Sequence, residues 1–197
     1  MTIQLEQEVK FRLASWDDGI RRIEVAGGAS THPRHFESNQ LFDYADSRIG
    51  KRDSALRLRF VGDQAWLTFK GPNHGSGKIK QRRESETFLG DGRAMEAILE
   101  SLGLEVRFRY EKYRATFRLG EAEVSCDETP IGAFLEIEGS PEEIAATAEL
   151  LSLDMKEAMS LSYPRLYQLY RAENPRAPEF MVFAPETAAS PLGPPGP

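Results

Sequence analysis

Apolar and charged residues alternate from the start of the chain: Leu5, Val9 and Phe11 interleave with Glu6, Glu8 and Lys10. Successive side chains of an extended strand point to opposite faces, so two carboxylates and an ammonium share one face. The other face is largely apolar, with Gln7 as a polar exception. Taken alone, three such residues describe a solvated strand face as readily as a ligand site. The pattern gains weight because it recurs.

Spacing predicts a strand over 4–13, then a helix after Ser15, a suitable N-cap, with Asp17 and Asp18 in its first turn and Gly27-Gly28 as its stop. A loop with Pro33 leads into a strand over 35–44 and a turn over 46–53. Strands over 54–61 and 65–71 are joined by the tight Gly62-Asp63 turn. A loop over 71–77 precedes a charged strand over 78–89. Asp91 is placed to cap a helix in which Met95, Ile98, Leu99 and Leu102 recur at helical spacing until Gly103. Strands follow at about 107–119, 121–127 and 133–138, and Ser140-Pro141-Glu142-Glu143 starts another helix. A last helical segment covers 162–171. From Asn174 the chain is rich in Pro and Ala, so residues 1–173 are expected to form the domain and 174–197 a disordered tail, with Phe180 to Phe183 able to dock. Seven or eight antiparallel-compatible strands with three or four helices argue for an α+β fold, and the strand count permits a closed barrel.

Composition narrows the function classes. A chain of 197 residues, 40% hydrophobic and 28% charged, suits one soluble globular domain. No apolar run approaches the ~20 residues of a membrane helix, and the acidic N-terminus is unlike a secretory signal. The single cysteine, Cys126, excludes an internal disulfide and fits a reducing cytoplasm. A net charge of −6 disfavours a general nucleic-acid surface. It leaves room for cations gathered locally around a polyanion. Monomer and homodimer both stay open.

The same alternation puts Arg57 and Arg59 on one strand face and Leu56, Leu58 and Phe60 on the other. Lys70 shares a face with Thr68 and Trp66; Arg82, Glu84 and Glu86 share another. Lys112, Arg114 and Arg118 line up opposite Tyr113, Ala115, Phe117 and Leu119. Glu136 and Glu138 alternate with Leu135 and Ile137, and Asp127 lies near the end of the preceding strand. Two arrangements satisfy this pattern. An open sheet would turn the charges to water; a closed one would line its interior with them. Enclosed charges need compensation, which divalent cations would give the carboxylates and a polyphosphate the Lys and Arg groups.

Six segments in order carry a resemblance: Glu6-x-Glu8-x-Lys10, LRLRF at 56–60, LTFKGP at 67–72, RRESE at 82–86, EKYRATF at 111–117 and FLEIEG at 134–139. Over roughly residues 1–170 the chain resembles the CYTH domain, the triphosphate tunnel metalloenzymes. The resemblance implies an eight-stranded antiparallel barrel, open as a tunnel, that binds triphosphates with Mg2+ or Mn2+. By similarity Glu6, Glu8 and Glu136 would hold one metal. Glu84 or Glu86, with Asp127 and Glu138, would hold a second nearer the attacked phosphorus and form the catalytic set. Lys10, Arg57, Arg59, Lys70, Lys112 and Arg114 would grip phosphate oxygens. Arg82 and Arg12 share their parity, Arg82 joining them as a candidate contact. Lys156 and Arg165 are candidates for a late basic residue that closes the site. The implied reaction is hydrolysis of inorganic or a small organic triphosphate. Class IV adenylate cyclase activity and non-catalytic polyphosphate or nucleotide binding are the alternatives.

Three look-alikes are set aside. GPNHGSGK at 71–78 has P-loop glycines spaced one residue too far apart, and Ile79 stands where Ser or Thr should be. His32 and His35 flank Pro33 without a third ligand. Cys126 falls on the apolar face and reads as a core thiol.

Overall fold

The computed structural model describes residues 2–75 and 77–184. The alternating segments form eight strands: β1 (Thr2–Leu13), β2 (Ala29–Tyr44), β3 (Ala55–Val61), β4 (Gln64–Lys70), β5 (Lys80–Leu89), β6 (Leu104–Leu119), β7 (Ala122–Thr129) and β8 (Gly132–Glu138). All neighbours pair antiparallel and close in the order β1-β5-β4-β3-β2-β6-β7-β8. Of the two arrangements the sequence allowed, the closed barrel is the one formed. Its α+β class is completed by helices α1 (Trp16–Val25), α2 (Gly92–Ser101), α3 (Pro141–Leu150) and α4 (Tyr163–Glu173).

Capping chemistry sets three of these helix starts. Ser15 Oγ accepts from the Asp18 amide at 3.1 Å, and Asp91 Oδ1 from the Ala94 amide at 2.9 Å. Ser140 and Glu143 form a reciprocal capping box ahead of Pro141.

The apolar strand faces point outward, and helices cover much of them while leaving Leu5, Phe36 and Phe69 exposed. Val9, Phe11, Val124, Leu135 and Ile137 pack under Ile23 of α1 and Ile144 and Ala148 of α3. Gly19 lets α1 ride low, because a Cβ there would sit 2.5 Å from Leu13 Cδ1 and 2.7 Å from Cys126 Sγ. α2 covers Phe42, Leu58, Ala65 and Leu104 through Leu99 and Met95. A third cluster joins Tyr163, Leu166 and Tyr167 of α4 to Tyr110, Phe134 and Met181.

Two segments run differently from the spacing. Pro33 was expected in a loop but lies within β2, which begins at Ala29. The β2–β6 register shifts on either side of His32, and such irregularities accommodate a residue without an amide donor. β6 starts at Leu104 rather than 107, and its first half pairs only with β2, since β7 joins from Tyr113 onward. The exposed edge is taken up by the chain's own C-terminal segment. The Met181 amide donates to Arg109 O at 3.1 Å, and the Glu111 amide to Met181 O at 2.9 Å. Phe180 and Phe183 stack against Phe108 and Tyr113. The rest of the expected tail, 185–197, lies outside the described residues. Among the described residues no helix is long and apolar enough to cross a membrane.

Candidate functional site

In a closed barrel every second residue of a strand faces inward. Glu6, Glu8 and Lys10 of β1, Arg57 and Arg59 of β3, and Lys70 of β4 therefore line one cavity of about 800 Å3. Lys80, Arg82, Glu84 and Glu86 of β5 face them, with Lys112 and Arg114 of β6 and Glu136 and Glu138 of β8. At one end Tyr163 of α4 lies against the inward rings of Tyr110 and Phe134, at centroid distances of 5.7 and 5.6 Å.

Strand register decides which charges meet. Glu8 is opposite Glu138 across β1–β8 and opposite Lys80 across β1–β5. Lys10 is opposite Glu136. The register thus sets Glu138 beside Glu8, while Glu136 joins Lys10 and Arg114, both of which donate to it.

One lysine serves two acids: Lys70 Nζ lies 2.6 Å from Glu6 Oε1 and 2.7 Å from Glu84 Oε2. Lys80 pairs with Glu8 at 3.0 Å. Glu86 accepts from Thr68 Oγ1 at 2.6 Å and from Arg59 at 3.2 Å, with Arg57 at 3.4 Å. Asp127 is fully buried behind the cavity surface. It accepts from Arg114 Nε and Nη2 at 2.6 Å each, from Lys112 Nζ at 3.1 Å and from the Tyr163 hydroxyl at 2.5 Å.

Compensation is uneven. Burial, followed by the charges of Glu8 and Glu84, outweighs the shared Lys70 and raises the Glu6 carboxyl to about 7. Burial raises Glu138 to about 8, helped by Glu6 and Glu123. Burial also acts against an ionised Glu8, but Lys80 and Lys10 overcome it and hold that group at about 2. Glu136 and Glu37 are likewise held well below the usual carboxylate range despite burial, the first by Lys10 and Arg114, the second chiefly by Lys112. Glu6 Oε2 and the Nε atoms of Arg57, Arg59 and Arg82 are buried without a hydrogen-bond partner. Among the described residues no three acid, His or Cys side chains are already gathered around a cation position. The acids instead neutralise Lys and Arg.

Other candidates lie elsewhere. Lys156 and Arg165, considered for closing the site, are exposed and outside the cavity; Tyr163 occupies that end instead. Arg12 is exposed and stacks over Phe134, and Arg118 is exposed at the end of β6. Residues 71–75 and 77–79 lie between strands, as expected of the P-loop look-alike. The Cys126 thiol is buried in the core and pushed up to about 12, first by burial and then by Asp127. The sequence reading passed over Lys80, Glu37, Glu123 and Tyr163. Lys80 has the parity of Arg82 and is found by the same rule. Glu37 sits in a strand whose irregular first half hides its period, and it meets Lys112 and Arg59 at 3.5 Å each. Tyr163 arrives on a helix, so no strand rule finds it.

The CYTH domain family model matches residues 4–165 of this chain. The chain belongs to that family. It is 26% identical over 162 residues to a protein of Methanocaldococcus jannaschii with a provisional adenylate cyclase name, covering 80% of this chain and 91% of the relative. A solved structure from Vibrio parahaemolyticus, also provisionally an adenylate cyclase, superposes with a TM-score of 0.74 at 20% identity over 85% of this chain and 99% of that one. A protein from Hippeastrum, provisionally an adenylyl cyclase and described as having a dominant triphosphatase activity, gives 0.62 at 18% identity over 85% and 96%. At these identities the structural likenesses establish the fold.

Proposed function

We propose that the cavity binds a triphosphate with a divalent cation and hydrolyses its terminal phosphoanhydride. The observation that best supports this reading is a wall of cations converging on one cavity, where Arg57, Arg59 and Arg82 stand with Lys70 and Lys80 and the protein leaves the buried Nε atoms of the three arginines unpaired. Guanidinium groups offer forked donors that suit phosphate oxygens, and the lysines add point charges.

Binding is a partner exchange. Lys70, Lys80 and Arg57 turn from carboxylates to phosphate oxygens, and the released carboxylates become available to Mg2+ or Mn2+. Glu6, Glu8 and Glu138 are the best suited, since hard cations take oxygen ligands. The unpartnered Glu6 Oε2 and the raised Glu138 carboxyl fit that assignment. When bound, such an ion would neutralise developing charge and make water more acidic. Glu84 and Glu86 complete the acidic side of the cavity. Asp127 and Glu37 hold Lys112, and Asp127 with Glu136 holds Arg114, so these cations are fixed in direction before a phosphoryl group arrives. Cys126, the lone thiol, faces the core and takes no part, and this reading assigns the attack to water.

A second reading, cyclisation of ATP with release of pyrophosphate, is favoured by the cyclase name of the Methanocaldococcus relative. Incubation with inorganic triphosphate, ATP and thiamine triphosphate under Mg2+ or Mn2+, with the products resolved, separates the two. Orthophosphate supports hydrolysis and cyclic AMP supports cyclisation. Saturable binding without turnover would leave a binding protein, and no binding at all would end both readings.

A further inference from the structure

Asn39 of β2 is wholly buried, and neither its Oδ1 nor its Nδ2 has a hydrogen-bond partner. It shares the inward face of β2 with Glu37 and Leu41. It lies directly opposite Arg59 of β3 and Tyr110 of β6, and does not line the cavity itself. A buried carboxamide left unpaired costs stability, so its presence calls for a use that the free protein does not show.

The neighbours of Asn39 lack partners in a complementary way. Arg59 Nε is a buried donor without an acceptor. Glu37 Oε2 is a buried acceptor without a hydrogen bond, approached by Lys112 Nζ only to 3.5 Å. The Arg59 guanidinium is also loosely held. Its Nη1 is 3.5 Å from Glu37 and its Nη2 3.2 Å from Glu86, whereas both Arg114 contacts with Asp127 are 2.6 Å. Burial and the neighbouring Arg57 charge pull Arg59 below the usual arginine range. An anion that displaces Glu37 and Glu86 from it would re-aim the group.

We propose that Asn39 is a positioning residue that locks Arg59 in its phosphate-gripping orientation, its Oδ1 accepting from Arg59 Nε while its Nδ2 donates to Glu37 Oε2. The inference rests on the triphosphate reading above and adds the device that fixes one of its cations. Residues directly opposite on antiparallel strands have Cβ atoms about 5 Å apart. Glu37 stands two residues away on the same face, so side-chain rotation brings the three groups together. With Nε committed to Asn39, the two terminal nitrogens of Arg59 form the fork that phosphate oxygens accept. Asn39 thus acts only in the loaded barrel.

Calorimetric titration of the full chain in Mg2+ tests this, using the bis-methylene analogue of inorganic triphosphate, which is not cleaved. Asn39→Leu should bind the analogue at least tenfold more weakly, the scale of a hydrogen bond to a charged group. Without ligand the same variant should melt no lower than wild type, because two unpaired polar atoms leave the interior. An asparagine that served packing alone would give the reverse, a lower melting temperature at unchanged affinity, and that result would overturn the inference. In an Arg59→Lys background, which lacks the guanidinium, Asn39→Leu should weaken binding no further; a second tenfold loss there would equally overturn it. The Arg59 Nε–H proton, assigned in NMR spectra by its loss in Arg59→Lys, reads wild type alone and decides the matter if Asn39→Leu fails to fold. Its exchange with water should slow at least tenfold when the analogue is added, and an unchanged rate would sink the proposal. Failure of wild type to bind the analogue would instead remove the triphosphate reading and this inference with it.

Discussion

Asp127 accepts four hydrogen bonds, from Arg114 twice, Lys112 and Tyr163, and is wholly buried. Its removal leaves two cations without their main anion, a loss that typically costs about 3–5 kcal/mol. Asp127→Ala should therefore lower unfolding stability on that scale, measured by denaturant titration. A loss below ~1 kcal/mol would show that Glu37 and Glu136 suffice to hold the pair. Glu6 and Glu138 make the opposite case. Burial holds their carboxyls up at about 7 and about 8 in the fold, against about 4.5 for an ordinary glutamate, so the folded state binds more protons than the unfolded one across that interval. Stability, measured in chelator, should fall as pH rises from about 4.5 to about 8. Glu138→Gln should flatten the upper part of the decline and melt higher than wild type at pH 8.5. Below that window the sign reverses: Glu8, Glu37 and Glu136 are held low, so stability declines as acid protonates them.

Elements were legible where one physical rule sufficed. Period two fixed the inward face of β1, β3, β5 and β8, and Ser15, Asp91 and Ser140 marked helix starts because capping is local chemistry. Register was not legible, since pairing depends on partners far along the chain. That Glu138 lies opposite Glu8 follows from β1–β8 pairing that no single segment encodes. The aromatic cluster at the α4 end is equally non-local, with Tyr163, Phe134 and Met181 separated widely in sequence. Met181 also repairs the edge of β6 by exchanging hydrogen bonds with Arg109 and Glu111. Since Met181 is wholly buried, Met181→Ala should cost about 2–5 kcal/mol. The amide of Glu111 should then exchange with solvent faster, while amides paired within β7–β8 keep their protection. Uniform acceleration would mean that the segment stabilises the barrel as a whole and not this edge.

Across the whole molecule a net charge of −6 coexists with a cavity that gathers Lys and Arg from five strands. Lys70, Lys80 and Arg57 are each paired there with a carboxylate, so under the proposed partner exchange phosphate and metal compete with these ion pairs. Lys70, shared by Glu6 and Glu84, is where this competition is easiest to read. Lys70→Met removes one phosphate contact and also releases two carboxylates from their common cation. Affinity for the uncleaved triphosphate analogue without metal should drop at least tenfold, the scale of a charge-assisted contact. Affinity for Mg2+ alone should rise, because the freed acids have no other lysine so near. Thermal unfolding reads both: saturating ligand at 100 times its dissociation constant stabilises a fold by ~2.7 kcal/mol. The variant should thus need more analogue and less Mg2+ than wild type for the same shift. A parallel loss of both affinities would mean that Lys70 supports the geometry of the acids and does not compete for them, and partner exchange would fall as the account of how this barrel accepts its ligand.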